Sequence, residues 1–394
     1  MKKILIGLTA FALCLSFSCS AFVSFASENN DTVSAVKIEN TMPFDLDCVS
    51  AILMDYATGT VLYEKNADEA LPPASVTKVM TLLLTMEAID AGKLSLDEKL
   101  TVSEYAASMG GSQVFLEPGE EMTVDDLLKS VVVSSANDAA VTLAEAVAGS
   151  ETAFIDMMNA RAKELSMANS NFENATGLDD TAVNHVTSAR DIAIMSRALI
   201  AHPLILQYSS IWMDTIRDGA FGLTNTNRLI RFYKGATGLK TGSTSKAKFC
   251  ISATACRDGL HLIAVIMGAP TRDIRNENAK KLLDHGFANY SIYNGEGGST
   301  DPIKVLSGVK ETCNVTYPPV SVLLSKGEES SVAVEIEPYE SLAAPVKKGD
   351  VCGKVYYKIG DTTVSETDLI CDESVDKIGF IGILSKIIKE FVLS

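Results

Sequence analysis

The chain has 394 residues, of which 47% are hydrophobic, 21% charged and 7% aromatic, and its formal net charge is −16. That length exceeds a single core and predicts two domains or three, while the composition excludes a wholly disordered, collagen-like or polytopic membrane protein. An acidic surface of this size repels phosphate backbones and argues against a nucleic-acid partner, and eight cysteines are too few for a disulfide scaffold.

Lys2 and Lys3 precede an apolar run from Ile4 to about Leu15, and small residues follow up to Ser24-Phe25-Ala26. This is the pattern of a secretory signal peptide, so residues 1–26 are expected to be cleaved and the chain exported. Residues 27–47 are polar and read as an extended leader. Residues 50–55 and 60–64 predict two strands of a hairpin turning through Tyr56-Ala57-Thr58-Gly59. Pro72-Pro73-Ala74 breaks the chain, and residues 75–91 predict an apolar helix stopped by Gly92. Helical patterns dominate residues 123–203, notably 138–147 and 187–202, where Ser188-Ala189-Arg190-Asp191 has the form of a helix start. Strands return at 249–255 and 261–267, and 274–287 is again helical. This order predicts a sheet assembled from both ends of the segment, with a helical subdomain inserted between them.

The composition shifts near residue 295, where Gly295, Gly297 and Gly298 cluster, and short alternating runs over 302–372 predict a small all-β domain. In residues 378–394 a helix would place Phe380, Ile381, Leu384, Ile387, Ile388 and Phe391 on one face and Lys386, Lys389 and Glu390 on the other. The stretch is too short and too charged to cross a bilayer, so it is expected to lie along a membrane interface. Removal of the signal leaves six cysteines without C-x-x-C or metal-ligand spacing, and Cys250 and Cys256 share one predicted strand. The histidines His185, His202, His261 and His285 form neither a metal motif nor an evident triad and read as structural or surface residues.

Three short motifs could carry chemistry. Ser75-Val76-Thr77-Lys78 places a serine and a lysine one helical turn apart. A serine hydroxyl needs a base, and a lysine serves as one when burial or a neighbouring cation lowers its pKa. The helix start also offers backbone N–H groups to a tetrahedral oxyanion. Ser135-Ala136-Asn137 opens the next helix; its serine could relay a proton and its amide hold a carbonyl, although helix capping is the commoner use of both residues. Lys240-Thr241-Gly242 enters the strand block with a cation, a hydroxyl and a glycine that admits a close backbone, where a surface turn is the plainer alternative.

Taken together, S-x-x-K, S-x-N 60 residues on and K-T-G 105 residues further resemble the serine penicillin-recognising superfamily of penicillin-binding proteins and β-lactamases. Pro73 through Lys78, Phe172-Glu173-Asn174-Ala175-Thr176-Gly177-Leu178, Ser188 through Asp191 and the run from Asn225 to Phe287 narrow the likeness to low-molecular-mass D-alanyl-D-alanine carboxypeptidases. The asparagine-rich run into Arg228 and Arg231 is most similar to Gram-positive, sporulation-associated members.

The resemblance implies an α/β fold of the β-lactamase/transpeptidase type, an antiparallel sheet flanked by helices with an inserted helical subdomain. It places a catalytic domain at 27–294, a β-rich domain at 295–376 and a membrane-associating amphipathic helix at 377–394. It also implies that Ser75 is the acylated nucleophile, Lys78 its base and Ser135 part of the proton network, with Asn137 and Lys240 holding substrate. The N–H groups of Ser75 and Ser243 would form the oxyanion hole. Arg275, with Thr241 assisting beside Gly242, would bind the terminal carboxylate, Arg272 being the neighbouring alternative. No metal or organic cofactor is implied. The expected partners are the peptidoglycan stem ending in D-Ala-D-Ala, β-lactams as covalent inhibitors and the outer face of the cytoplasmic membrane. A β-lactamase on the same fold is the nearest rival. Glu145, Glu151, Glu164 and Glu173 lie in the interval where its water-activating glutamate would fall, but none has the E-x-x-L-N context. A non-enzymatic wall-binding or penicillin-sensing protein is the rival of another class, and endopeptidase action on cross-links is a variant on the same residues.

Overall fold

The computed structural model describes residues 45–179 and 182–393; the export signal expected at 1–26 lies outside them. Strands Val61–Lys65, Ser50–Asp55, Leu260–Ala269, Lys248–Arg257 and Ala236–Thr244 lie side by side in that order, each antiparallel to its neighbour. The sheet is thus built from both ends of the segment, joined where Ser50–Asp55 pairs with Leu260–Ala269.

Side chains alternate across a strand, and here both faces are covered. Ile52 and Met54, with Ile263, Val265 and Met267, face a core shared with the inserted helices. Ala51 and Leu53, with Leu262, Ala264 and Ile266, face a second core capped by Leu282 and Leu283 of the helix Arg272–Asn289. Two apolar faces explain why these strands read as nearly unbroken hydrophobic runs.

The predicted helix 75–91 is two elements, a 3-10 turn Ala74–Thr77 and the α-helix Lys78–Asp90. Ala74 has φ of +50°, a left-handed conformation disfavoured for a residue with a Cβ, and the prolines before it redirect the chain. Ten of the 13 residues of Lys78–Asp90 are buried, because this helix is the central post of the inserted subdomain. Asn137–Ala148 and Ala189–Ile200 contribute to the core around it. The latter starts at Ser188, whose Oγ accepts from Asp191 N at 3.1 Å. At roughly 1.5–3 kcal/mol for each fully buried leucine or isoleucine, this packing fixes the start of the central helix against the sheet.

Helix Arg272–Asn289 leads directly into strand Tyr290–Gly295, which pairs with Val320–Ser325. Ile292 and Leu323 of that pair pack on the second core, while Val322 and Leu324 pack on a third with Val315, Val355 and Leu369. The other strands after residue 295 form a six-stranded sheet, so the all-β character expected there is present. The six cysteines of the described residues are free thiols, and Cys313, Cys352 and Cys371 are buried in this third core. A terminal helix, Phe380–Leu393, exposes Phe380, Ile381, Leu384 and Ile388. No helix among the described residues is long and apolar enough to cross a membrane.

Candidate active site

Ser75 sits on the 3-10 turn, presented by the strained Ala74 and locked from two sides. At Gly242 a Cβ would come within 2.8 Å of Ser75 N, so the K-T-G strand can lie against the turn only as glycine. At Gly177, with φ of +82°, a Cβ would come within 1.9 Å of Ala74 O. A third lock is a buried hydrogen-bond chain. Glu173 N donates to His185 Nδ1 at 2.9 Å, so the imidazole proton is on Nε2, which faces Thr77 Oγ1 at 2.7 Å. Thr77 Oγ1 in turn donates to Ala74 O at 2.8 Å. Burial pushes His185 down to about 4, so the ring is neutral over the working pH range. His185 is therefore a structural histidine, as the sequence implied, but one whose contact is the turn that carries Ser75.

Lys78 is fully buried, and its Nζ lies 3.0 Å from Ser75 Oγ, 2.5 Å from Asn137 Oδ1 and 2.8 Å from Thr176 O. Asn137 Nδ2 donates to Gly110 O at 2.6 Å, which turns the amide oxygen toward the lysine. A neutral amine has two N–H groups and one lone pair. Asn137 Oδ1 and Thr176 O can only accept, so they take the two protons and leave the lone pair facing the Ser75 hydroxyl. Burial, followed by the positive charge of Lys240, holds Lys78 well below the ordinary lysine range, opposed by the carboxylate of Asp138. That carboxylate is itself buried and accepts from the N–H groups of Leu116 at 3.0 Å and Ala139 at 2.9 Å.

Lys240 is 1% exposed; its Nζ donates to Ser135 Oγ at 2.8 Å and to Thr241 O at 2.9 Å. Burial and the charge of Arg275 lower it to about 7. Ser135 and Asn137 do not cap the helix they open. The N-cap is Ala136, without a side-chain cap, and Ser135 adopts φ of +63°. Both side chains turn instead to the two lysines, and the third motif is a buried strand rather than a surface turn.

These groups open on a cavity of about 640 Å³ lined by Ser75, Ser135, Thr241, Gly242, Ser243 and Arg275, among others. Ala236–Thr244 is the outermost strand of the sheet, so a peptide could lie along its open edge. Arg275, which lines the same cavity, is 3% exposed, yet among the described residues its guanidinium donates only to neutral acceptors, Asn276 Oδ1 at 2.9 Å and Cys250 O at 3.4 Å. Burial and the like charge of Arg272 lower it to about 10, a cost that an incoming carboxylate would offset. Arg272 lines the same cavity but is exposed.

Among the described residues that line the cavity there is no carboxylate. Glu151 accepts from Ala175 N at 2.9 Å and from Tyr105 Oη, Glu173 accepts from Val183 N at 2.8 Å, and Glu164 pairs with Arg161. Like Glu145, none of them lies on its wall. The site residues not foreseen were Thr77, Asp138, Thr176 and His185. They come together through folding from as far as 108 positions away, with no spacing signal beyond the Asp138 that follows the S-x-N motif.

Residues 35–271 match the D-alanyl-D-alanine carboxypeptidase peptidase family. The chain belongs to this family. Residues 296–377 match the C-terminal domain of penicillin-binding protein 5, the second module of this carboxypeptidase-family chain. The chain is 40% identical to D-alanyl-D-alanine carboxypeptidase DacF of Bacillus subtilis over 393 residues, 98% of each chain. It is 35% identical to DacC of Escherichia coli over 355 residues, 86% of each. Penicillin-binding protein 5 of Haemophilus influenzae is similar in structure, with a TM-score of 0.74 at 31% identity, covering 86% of this chain and 100% of that one. Penicillin-binding protein D2 of Listeria monocytogenes, solved in its cefotaxime-bound form, aligns with a TM-score of 0.55 at 35% identity over 63% of this chain and 100% of its own.

Proposed function

We propose that this protein is a serine-type D-Ala-D-Ala carboxypeptidase that removes the terminal D-alanine of peptidoglycan stem peptides and is acylated by penicillins. The observation that carries the proposal is the pair of buried lysines, one on each reacting hydroxyl, at the start of a helix beside an open strand edge. Ser75 Oγ attacks the carbonyl carbon of the scissile amide while its proton passes to the Lys78 lone pair. The terminal carboxylate rests on Arg275 and Thr241, and the N–H groups of Ser75 and Ser243 receive the oxyanion. As the C–N bond breaks, the proton held on Lys78 reaches the departing amine through Ser135, whose hydroxyl is oriented by Lys240. Water then attacks the ester with Lys78 as base again, releasing the shortened stem and restoring Ser75.

The absence of a carboxylate from the described cavity wall argues against fast deacylation and so against a β-lactamase. The retained lysines and serines argue against an inactive binding protein. Release of D-alanine from a D-Ala-D-Ala peptide tests the proposal: Ser75→Ala should abolish it, and release at the native rate would overturn the mechanism.

Action outside the cytoplasm and attachment to the membrane are part of the same reading. The signal pattern at 1–26 supports export. The exposed Phe380, Ile381, Leu384 and Ile388 support insertion of the last helix into a membrane interface. Truncation before Lys377 should move the mature protein into the soluble fraction, and continued sedimentation with membranes would refute the attachment.

A further inference from the structure

The cavity does not end where a terminal D-alanine would. Past Thr241, whose hydroxyl donates to Thr226 Oγ1 at 2.8 Å, its wall continues through Thr224, Asn225 and Arg228 to Trp212 and Phe232. This wall is held rigidly. Asn225 Nδ2 donates to Ile211 O at 2.7 Å, Asn225 N to Trp212 O at 2.9 Å, and the buried Asn227 donates through Nδ2 to Gly238 O at 2.8 Å. Because Arg275 and Thr241 mark the terminal carboxylate, this extension lies on the leaving-residue side of the scissile bond.

Its chemistry does not match a methyl side chain. Arg228 and Arg272 both line the cavity and are exposed, and among the described residues neither makes an ion pair or a side-chain hydrogen bond. Local stability accounts for neither. Arg272 is the first residue of its helix, where the dipole disfavours a cation, and its charge bears on the buried Arg275. Two arginines without such partners lining one cavity stand out in a chain whose net charge is −16. In the lining of the same cavity Phe232 is 65% exposed and meets Trp212 edge-on, and the Arg231 guanidinium lies 5.8 Å from the Trp212 ring and 5.9 Å from the Phe232 ring. That shelf offers an apolar surface to methylene groups ahead of a charged end.

We propose that this extension is a leaving-residue subsite for a dicarboxylic D-amino acid. The α-carboxylate of that residue is held at Arg275, and its side-chain carboxylate meets Arg228 and Arg272. The inference rests on the carboxypeptidase reading and names a substrate class for it.

The test compares diacetyl-L-lysyl-D-alanyl-D-glutamate with its isostere ending in D-glutamine, which differs only in the charge of the leaving residue. Exposed charge pairs predict a kcat/KM about fivefold higher for D-glutamate, shrinking as salt rises. The double variant Arg228→Ala/Arg272→Ala should bring the ratio of the two peptides to about one. Equal rates in the native enzyme, or a ratio that survives the double variant, overturn the subsite. Calorimetric binding of both peptides to Ser75→Ala repeats the comparison without turnover. Tighter binding of the D-glutamate peptide without hydrolysis by the native enzyme would sustain the subsite and overturn the carboxypeptidase reading, and equal binding would overturn the subsite itself.

Discussion

Replacing His185 by phenylalanine keeps an aromatic ring edge-on to Phe172, 5.8 Å away between centroids, and removes two buried hydrogen bonds. One holds Thr77 and the other receives the Glu173 N–H. A buried polar group left without its partner costs about 1–3 kcal/mol, so the pair should lower stability by about 2–6 kcal/mol. The kinetic effect is separate. Ala74 is kept at positive φ by contacts around its carbonyl, among them the Thr77 hydroxyl that His185 orients, and Ser75 is the next residue. A shift of about 1 Å in a nucleophile costs on the order of 100-fold, so acylation by a fluorescent penicillin should slow by about that factor. His185→Gln, which restores a donor, should recover part of the rate. Thr77→Val should match His185→Phe, and the double variant should be no slower than either single one.

The pH dependence supplies an independent check on the same residue. The folded ring takes a proton only below about 4, whereas the unfolded one takes it below about 6.5. Between those values the unfolded chain binds the extra proton, so stability falls as pH drops through the window, by about 3 kcal/mol from this residue. The carboxylates of Glu173 and Asp179 face the ring and oppose this effect of burial. His261, lowered to about 4 by burial alone, contributes a similar slope, so His185→Phe should remove only part of the decline in Tm below pH 6.5. A His185→Phe enzyme acylated at the native rate would refute the kinetic argument, whatever its Tm.

Two further perturbations bear on the site. Lys240 loses its proton at about 7 in the free enzyme, which removes the charge that adds to burial in lowering Lys78 and that sits 2.8 Å from Ser135 Oγ. The kcat/KM for D-alanine release should therefore fall about tenfold per pH unit well above that value, and Lys240→Arg should carry the fall to higher pH; a flat profile to pH 9 would contradict the role of that charge. Gly177→Ala would push a methyl group to within 1.9 Å of Ala74 O at a residue with φ of +82°, and should cost at least about 3 kcal/mol by denaturant unfolding.

The sequence carried the fold because its strands are apolar on both faces and its helices are punctuated by Pro73, Gly92 and the Ser188 cap. The order of elements then required a sheet closed from both ends. It carried the three motifs as well, since each supplies its chemistry from residues two or three apart. What it could not carry is what surrounds them. Thr176 and His185 reach the turn that carries Ser75 and Lys78 only after a long loop folds back, and no local pattern marks a residue for a contact made about 100 positions away. The split of the first helix was also hidden, because it depends on the conformation of Ala74, an ordinary residue forced into a left-handed turn. Arg228 was visible only as part of a run, while its place on the cavity wall depends on Asn225 and Asn227 holding that run in position.

The account turns on Ser75 being acylated and released slowly. Intact-mass spectrometry of the mature protein after brief exposure to benzylpenicillin, followed over hours, measures both. A single adduct that persists and is missing from Ser75→Ala is the predicted result. An adduct that disappears within seconds while hydrolysed penicillin accumulates, or no adduct at all, would contradict it.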